Sequence, residues 1–410
     1  MSSSSSAASQ GFLKRILVTG GAGFIGSHTV IHLVKRYPEY YIVNLDSLDY
    51  CSCVRNVHTA FQATPASDSD SEDVADDALG ERLRGSFCEW DQDKKKMSDT
   101  VRDEEPSSVP LPRNYKFIKG NIMCADLVEY ILQTEQIDTI LHFAAQSHVD
   151  LSFGNSIEFS KTNILGTHVL LEAARIHGGI QRFIHVSTDE VYGEGMADTA
   201  AMTEDHVLEP TNPYAATKAG AEFLVKAYQR SFKLPTIITR SNNVYGPHQY
   251  PEKLIPKFIN QLLRGQRVTI HGDGSHTRNY LYISDVVSAF DLILHQGEIG
   301  QVYNIGGHNE IPNEKVALEL LRLLRPTLSP EEAKEQCITY VHDRPFNDLR
   351  YTIDATKVRA LGWQERVDWR DGLRRTVKWW TRYGHRFPNI EHALEPHPVA
   401  FKKMYNVPLL

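Results

Sequence analysis

The chain has 410 residues, 41% of them apolar, and a formal net charge of −7. This is long enough for one large domain or two ordinary ones, contains no apolar run that could span a bilayer, and argues against a general nucleic-acid-binding surface. Fourteen acids against six bases between Asp68 and Glu105 carry the acidity, so the remainder is close to neutral. Five scattered cysteines (Cys51, Cys53, Cys88, Cys124 and Cys337) form no C-x-x-C pair. Their odd number argues against a disulfide framework and for a reducing, cytosolic setting. The Ser-rich start has neither a basic head nor an apolar core, which predicts a disordered tail over residues 1–12 instead of a secretory signal.

In chain order, Lys14 to Thr19 reads as a strand and is followed at once by Gly20-Gly21-Ala22-Gly23-Phe24-Ile25-Gly26. A helix is expected from Ser27 to Lys35. Such a loop needs a tight turn, backbone close to a pyrophosphate and close helix packing, all easiest without side chains. The next strand, Tyr41 to Asp46, places Asp46 twenty residues after Gly26, where an acid binds a ribose hydroxyl and disfavours a 2′-phosphate. The motif therefore predicts NAD. Residues 59–113 lack periodicity and read as an acidic, disordered insertion. Strands follow at Tyr115–Ile118 with Asn121-Ile122, at Ile137–Phe143, at Phe183–Val186 and at Thr236–Arg240. Helices are expected at Ala125–Glu135, Ser156–His177 and from Tyr214 to about Phe232. The alternation predicts an α/β, Rossmann-type, doubly wound parallel sheet over 13–240. From 241 to 385 the loops become polar. Helices near Lys257–Arg264, Asp285–His295, Asn313–Leu324 and Asp371–Tyr383 suggest a smaller substrate-binding lobe interleaved with the sheet, with Arg278, Arg344 and Arg350 as anion clamps. Residues 386–410 form a C-terminal extension.

Three features carry chemistry. Tyr214 and Lys218 share one helix face at i and i+4. An adjacent ammonium should lower the phenol pKa, so that Tyr214 can take a proton from a sugar hydroxyl beside a nicotinamide. This pattern is common on ordinary helices, and it gains meaning from the glycine loop upstream. Asp189 and Glu190 follow a strand end and point in different directions. One can donate and the other accept a proton, as elimination of water requires; an acidic helix cap is the plainer alternative. Thr188 would hydrogen-bond the reacting sugar hydroxyl. His142, His148 and His185 lack metal-ligand spacing and read as satisfied core or loop histidines, so no metal site is expected.

The segments Thr-Gly-Gly-Ala-Gly-Phe-Ile-Gly, Ala-Ala-Gln-Ser-His-Val-Asp (144–150), Ser-Thr-Asp-Glu-Val-Tyr-Gly, Tyr-x-x-x-Lys and Tyr-Gly-Pro-His-Gln-Tyr-Pro-Glu-Lys-Leu-Ile-Pro (245–256) resemble the extended short-chain dehydrogenase/reductases. With Tyr-Asn-Ile-Gly-Gly (303–307) and Asp-Arg-Pro-Phe-Asn-Asp (343–348), they are most similar to the dTDP-glucose 4,6-dehydratase family. The resemblance implies oxidation at C4 of an NDP-glucose, loss of water across C5 and C6, and return of the same hydride to C6. It implies Asp189 as acid, Glu190 as base at C5, Tyr214 as base at the 4-hydroxyl, and Lys218 as support for Tyr214 and the nicotinamide ribose. It places NAD against Gly20, Gly23, Phe24, Ile25, Gly26, Asp46, Ser47, Leu48, Asp49, Asn121, Ile122, Phe143, Ala144, Ala145, Gln146, Ser147 and Thr162. It places the nucleotide sugar against Ser147, Thr188, Asn243, Lys253, Leu254, Thr269, Ile270, His271, Arg278, Asn304, Asp343, Arg344 and Asn347.

There are departures from the family pattern. An Asp that contacts adenine in bacterial relatives aligns with Asn121, and an Asn near the nicotinamide aligns with Val244. The 343–348 run, the Arg240 region and the tail from Pro388 to Pro396 are more similar to eukaryotic members, including the UDP-glucose dehydratase part of plant rhamnose synthases. This leaves dTDP-glucose and UDP-glucose both open. A homodimer is implied by the resemblance. Two other readings remain: an NDP-sugar 4-epimerase, which needs Tyr214 and Lys218 but no acid–base pair, and a catalytically silent NAD-binding regulator.

Overall fold

The computed structural model describes residues 11–62, 110–195, 200–342, 352–387 and 390–394. Its centre is a seven-stranded parallel sheet. The strands are β1 (Lys14–Thr19), β2 (Tyr40–Asp46), β3 (Tyr115–Lys119), β4 (Thr139–His142), β5 (Arg182–Thr188), β6 (Thr236–Ser241) and, later in the chain, β10 (Val302–Ile305). Their spatial order is β10-β6-β5-β4-β1-β2-β3. The order reverses between β1 and β4, which opens a crevice at the carboxyl ends of the strands.

Because both faces are covered, the strands read as nearly unbroken apolar runs. Alternate residues still go to opposite faces. Ile16, Val18, Ile42 and Ile184 pack into one core with the helices Phe24–Arg36 and Ile283–Gln296. Leu17, Val43, Leu45 and Phe183 pack into the other, with Ala125–Thr134, Gly166–His177 and Pro213–Phe232. The first core continues without a break into the second lobe, through Tyr245, Phe258, Trp369 and Trp380.

The second lobe contains β7 (Asn243–Tyr245), β8 (Val268–His271), β9 (Thr277–Tyr282), β11 (Glu310–Pro312) and β12 (Ile338–Val341). β11, β9 and β7 form one small sheet, and β12 and β8 a second. These short strands escape a sequence reading because each is three to six residues long and bounded by turns.

Several boundaries move. The first helix starts at Phe24, directly after the glycine loop, and not at Ser27. β5 runs on through Ser187 to Thr188, because both residues pair with β6. β3 stops at Lys119, and Asn121 instead accepts a hydrogen bond from the Met123 amide. A helix at Arg55–Gln62 occupies the first positions of the expected insertion. It is held by Val57, which is fully buried, and by Phe61, which stacks edge-on against Tyr115 at 5.1 Å. Most of the acidic segment, from 63 to 109, lies outside the described residues, as does most of the C-terminal extension.

Candidate active site

A cleft of about 790 Å³ lies over the carboxyl ends of the strands, between the sheet and the second lobe. Its nucleotide end is largely main chain. Gly20 has φ +70°, and a Cβ there would meet the Ala144 amide nitrogen at 2.6 Å. A Cβ on Gly26 would meet the Gly20 carbonyl oxygen at 2.2 Å. Both glycines are therefore demanded by close packing of loop, helix and β4. Gly23 is the N-cap of the first helix. It offers no side-chain cap, and the first turn holds no acid, so the orphan N–H groups face the cleft ready for an anion.

Asp46 closes β2. One of its oxygens accepts from the Ala22 amide at 2.9 Å, and the other from the Leu48 amide at 2.8 Å and the Ser52 hydroxyl at 3.0 Å. A carboxylate with about four lone-pair sites keeps room for a ribose hydroxyl. Across the mouth, Gln146 Nε2 donates to Asp49 at 2.6 Å. Phe24, Ile25, Ser47, Asn121, Ile122, Phe143, Ala144, Ala145, Ser147 and Thr162 also line the wall. This cradle, with one strand-end acid and no side chain in the anion position, fits a dinucleotide with a free ribose 2′-hydroxyl.

The reacting end is made of side chains. Thr188 closes β5 and caps the short 3₁₀ turn Asp189–Tyr192, accepting from the Glu190 amide at 3.3 Å. Thr188, Glu190, Tyr214 and Lys218 line the cleft. Asp189 is 2% exposed and lies behind them, between Thr188 and Asn242. Burial and the neighbouring Glu190 push its carboxyl up to about 7, so a large share of it carries a proton at neutral pH. The plainer expectation of an acidic cap applies to neither carboxylate's side chain: the capping group is the Thr188 hydroxyl.

The expected effect of Lys218 on Tyr214 does not emerge. Lys218 Nζ donates to the Val186 carbonyl at 2.7 Å, and burial brings its ammonium down to about 8. Burial, with Glu190 next, pushes the Tyr214 phenol up, against the hydrogen bond from Thr188. Helical spacing gives the shared face, but the tertiary fold sets the degree of burial, and burial dominates.

The sugar end gathers Asn243, Lys253, Leu254, Thr269, Ile270, His271 and Arg278 from β7, β8, β9 and the helix Leu254–Leu263. Lys253 Nζ reaches over to the Ser147 carbonyl at 2.6 Å, joining the two lobes. Asn304 is not part of the wall. It is fully buried in β10, where it accepts from the Tyr192 hydroxyl at 2.7 Å and donates to the Met202 carbonyl at 3.0 Å. Its amide is spent within the protein core, so it cannot reach a ligand in this arrangement. Asp343, Arg344, Asn347 and Arg350 lie outside the described residues.

Three asparagines absent from the sequence expectations organise the site. Asn163 sits on a π-helical turn, Ser160–Leu165. It accepts from the Gln146 amide at 2.8 Å and donates to Thr217 at 2.9 Å, tying the cofactor wall to the Tyr214 helix. Asn212 caps that helix by accepting from the Ala215 amide at 2.8 Å, and its Nδ2 donates to Glu190 at 3.0 Å. The Asn-Pro pair ahead of Tyr214 is a legible cap signal. Asn242 donates to Asp189 at 2.6 Å, and no local signal announces it.

Behind the acid–base turn lies a fully buried ion pair. Arg240 binds Glu222 through two bonds, of 3.0 and 2.6 Å, and donates to the Tyr192 hydroxyl at 2.6 Å. Of the histidines, His142 is satisfied by Thr19 at 2.7 Å and Thr167 at 2.9 Å. His185 is not satisfied: both ring nitrogens lack a hydrogen bond, and burial holds the ring neutral. Among the described residues, no group of three or more His, Cys, Asp or Glu is placed to hold a metal ion, and no helix is long and apolar enough to cross a membrane.

The family model described as GDP-mannose 4,6 dehydratase matches residues 91–376. The chain is 48% identical, over 386 residues, to the trifunctional UDP-glucose 4,6-dehydratase/UDP-4-keto-6-deoxy-D-glucose 3,5-epimerase/UDP-4-keto-L-rhamnose-reductase of Arabidopsis thaliana. That match covers 94% of this chain but 50% of the relative, so the chain spans about half the length of that protein. It is 43% identical, over 389 residues, to the dTDP-D-glucose 4,6-dehydratase of Homo sapiens, covering 95% of this chain and 96% of the relative. Among solved structures it is similar to the dTDP-glucose 4,6-dehydratase DesIV from Streptomyces venezuelae with NAD and TYD bound. The TM-score is 0.73 and the identity 35%, covering 92% of this chain and 99% of that one.

Proposed function

Since the chain belongs to the GDP-mannose 4,6 dehydratase family of extended short-chain dehydrogenase/reductases, on its dTDP-glucose 4,6-dehydratase branch, we propose that it is an NAD-dependent NDP-glucose 4,6-dehydratase, a hydro-lyase. The observation that carries this reading is the pairing of a buried, proton-holding Asp189 with a cleft-lining Glu190 on one short turn. A 4-epimerase needs no such pair, and a silent regulator needs neither the pair nor Tyr214.

NAD, when bound, supplies the acceptor and later the donor for the C4 hydrogen. Gly20 to Gly26 and the first helix would hold its pyrophosphate, and Asp46 would hold a ribose hydroxyl. Thr188 would hydrogen-bond the 4-hydroxyl, and Tyr214 beside it is assigned as the base that takes its proton, through the phenolate form that its raised pKa makes the minor one. Glu190, held by Asn212, removes the C5 proton. Asp189 gives its proton to the departing 6-hydroxyl, and water leaves. With its carboxyl near 7, Asp189 loses this proton as pH rises, so elimination weakens above about pH 7.

Residues 13–240 are assigned to the cofactor, and 241–385 mainly to the nucleotide sugar. Arg278, 9% exposed at the sugar end, suits the diphosphate. A homodimer is supported by the exposed apolar side chains of Ile157 and Leu165 on one helical run and of Phe223 on the neighbouring helix. A cytosolic location agrees with the scattered cysteines. The deciding experiment incubates the purified chain with NAD and either dTDP-glucose or UDP-glucose, with mass spectrometry for loss of water. Dehydration of one or both is expected. A C4 epimer without water loss, or no turnover of either, rejects the reading.

A further inference from the structure

Asn242 lies one residue past β6, and the pairing of Thr188 with Ser241 sets it opposite Asp189. Its Nδ2 donates to Asp189 Oδ2 at 2.6 Å, a short contact between two groups that are almost wholly buried. The orientation of the amide is fixed independently. Asn242 Oδ1 accepts from the Gly307 amide at 3.1 Å, while the main-chain N–H of Asn242 donates to the Ile305 carbonyl at 3.1 Å and holds the backbone in place. An amide turned the other way would set its NH2 against the Gly307 N–H, donor against donor, and lose that bond. Oδ2 of Asp189 therefore faces a fixed donor, which favours it as the unprotonated oxygen. The remaining oxygen, Oδ1, lies 3.2 Å from the Thr188 hydroxyl, which lines the cleft and can rotate to donate to an ionised Oδ1 or to accept from a protonated one.

We propose that Asn242 is a positioning residue that dictates which oxygen of Asp189 bears the acid proton, confining it to Oδ1 on the Thr188 side. This rests on the dehydratase reading for its catalytic meaning, but not for its structural content. In the elimination, the Asp189 Oδ1–H bond breaks, the proton goes to the departing 6-hydroxyl, and water leaves as Glu190 takes the C5 proton. Had the proton sat on Oδ2, it would be directed at Asn242 and away from the substrate. The titratable and charged groups that face Asp189 are Glu190 on its own turn, Tyr214 on the Pro213–Phe232 helix and Arg278 on β9. Arg278 and Asn242 both favour the ionised form, while Glu190 opposes it. Removing the Asn242 donor should thus raise the Asp189 pKa further.

The test compares Asn242→Leu, close in volume, and Asn242→Ala, which places less demand on folding, with the parent chain. The first readout is the infrared carbonyl band of protonated Asp189 in the ligand-free protein, identified by its loss in Asp189→Asn. Without the donor to Oδ2, the band should move to higher frequency in either folded variant. The second is the pH profile of elimination in single turnover. Its upper midpoint should move up by about one unit, a tenfold change in the ionisation constant, and elimination should fall more than C4 oxidation. An unmoved band together with an unmoved midpoint, or equal losses in oxidation and elimination, overturns the proposal. If the parent chain releases no 4-keto-6-deoxy sugar, the dehydratase reading fails, and the infrared comparison still decides the role of Asn242.

Discussion

The cleft wall from Gly20 to Asp46 is one uninterrupted stretch of chain whose working groups are mostly main chain. The wall around Asp189 is assembled from β5, the Tyr214 helix and the end of β6, and its working groups are side chains held by other side chains. A turn of fixed dihedrals cradles any phosphate of the right size. An acid–base pair needs each carboxylate in its own environment, and that requires partners from distant parts of the chain. The two ends should therefore fail differently.

The largest effect expected at the reacting end comes from Glu190→Gln. It leaves C4 oxidation possible and slows elimination by about 10²–10⁴-fold, so reduced nicotinamide should accumulate at the expense of 4-keto-6-deoxy product. Native-rate dehydration by this variant would take the base role away from Glu190. Next is Arg240→Met, which strands the buried Glu222 and should cost roughly 3–5 kcal/mol in urea unfolding. Pairing it with Glu222→Leu should recover much of the loss. If Arg240→Met alone is neutral, the buried network is not what anchors the acid–base turn.

At the nucleotide end, Gly20→Ala forces a left-handed alanine against Ala144. The dihedral alone costs about 1–3 kcal/mol, and retained NAD, measured after gel filtration, should fall. Normal NAD content would break the contrast drawn above. The smallest effect belongs to Asn212→Ala. Loss of the helix cap costs about 1 kcal/mol, and turnover should drop more than that stability loss explains, because Glu190 also loses its donor. Equal turnover in the variant would reduce Asn212 to a cap.

The same contrast explains what could be read in the sequence. Gly20, Gly23, Gly26 and Asp46 lie close together, and their spacing carries the geometry, so the cofactor wall and the parallel sheet were legible. Asp189, Glu190, Tyr214 and Lys218 were recognisable as residue types in sequence. Their electrostatics were not, because burial raises the Tyr214 phenol while the Lys218 ammonium is turned onto the Val186 carbonyl. Asn242 and Asp189 are 53 residues apart, and only strand register brings them together. Asn304 shows the converse error: a polar residue at a familiar position is consumed by Tyr192 and Met202.

β10 has one more consequence. This strand reaches the sheet only after β7, β8 and β9 have been laid down, yet it covers β6, whose six residues are all buried. During synthesis, β6 remains an uncovered sheet edge until Val302–Ile305 leaves the ribosome, a liability for premature pairing with another chain. It also constrains recombination. A sugar-binding lobe grafted from a relative with a cut at 241 brings a foreign β10 into the host sheet. Chimeras that keep the host's 302–305 should express better than those that replace it.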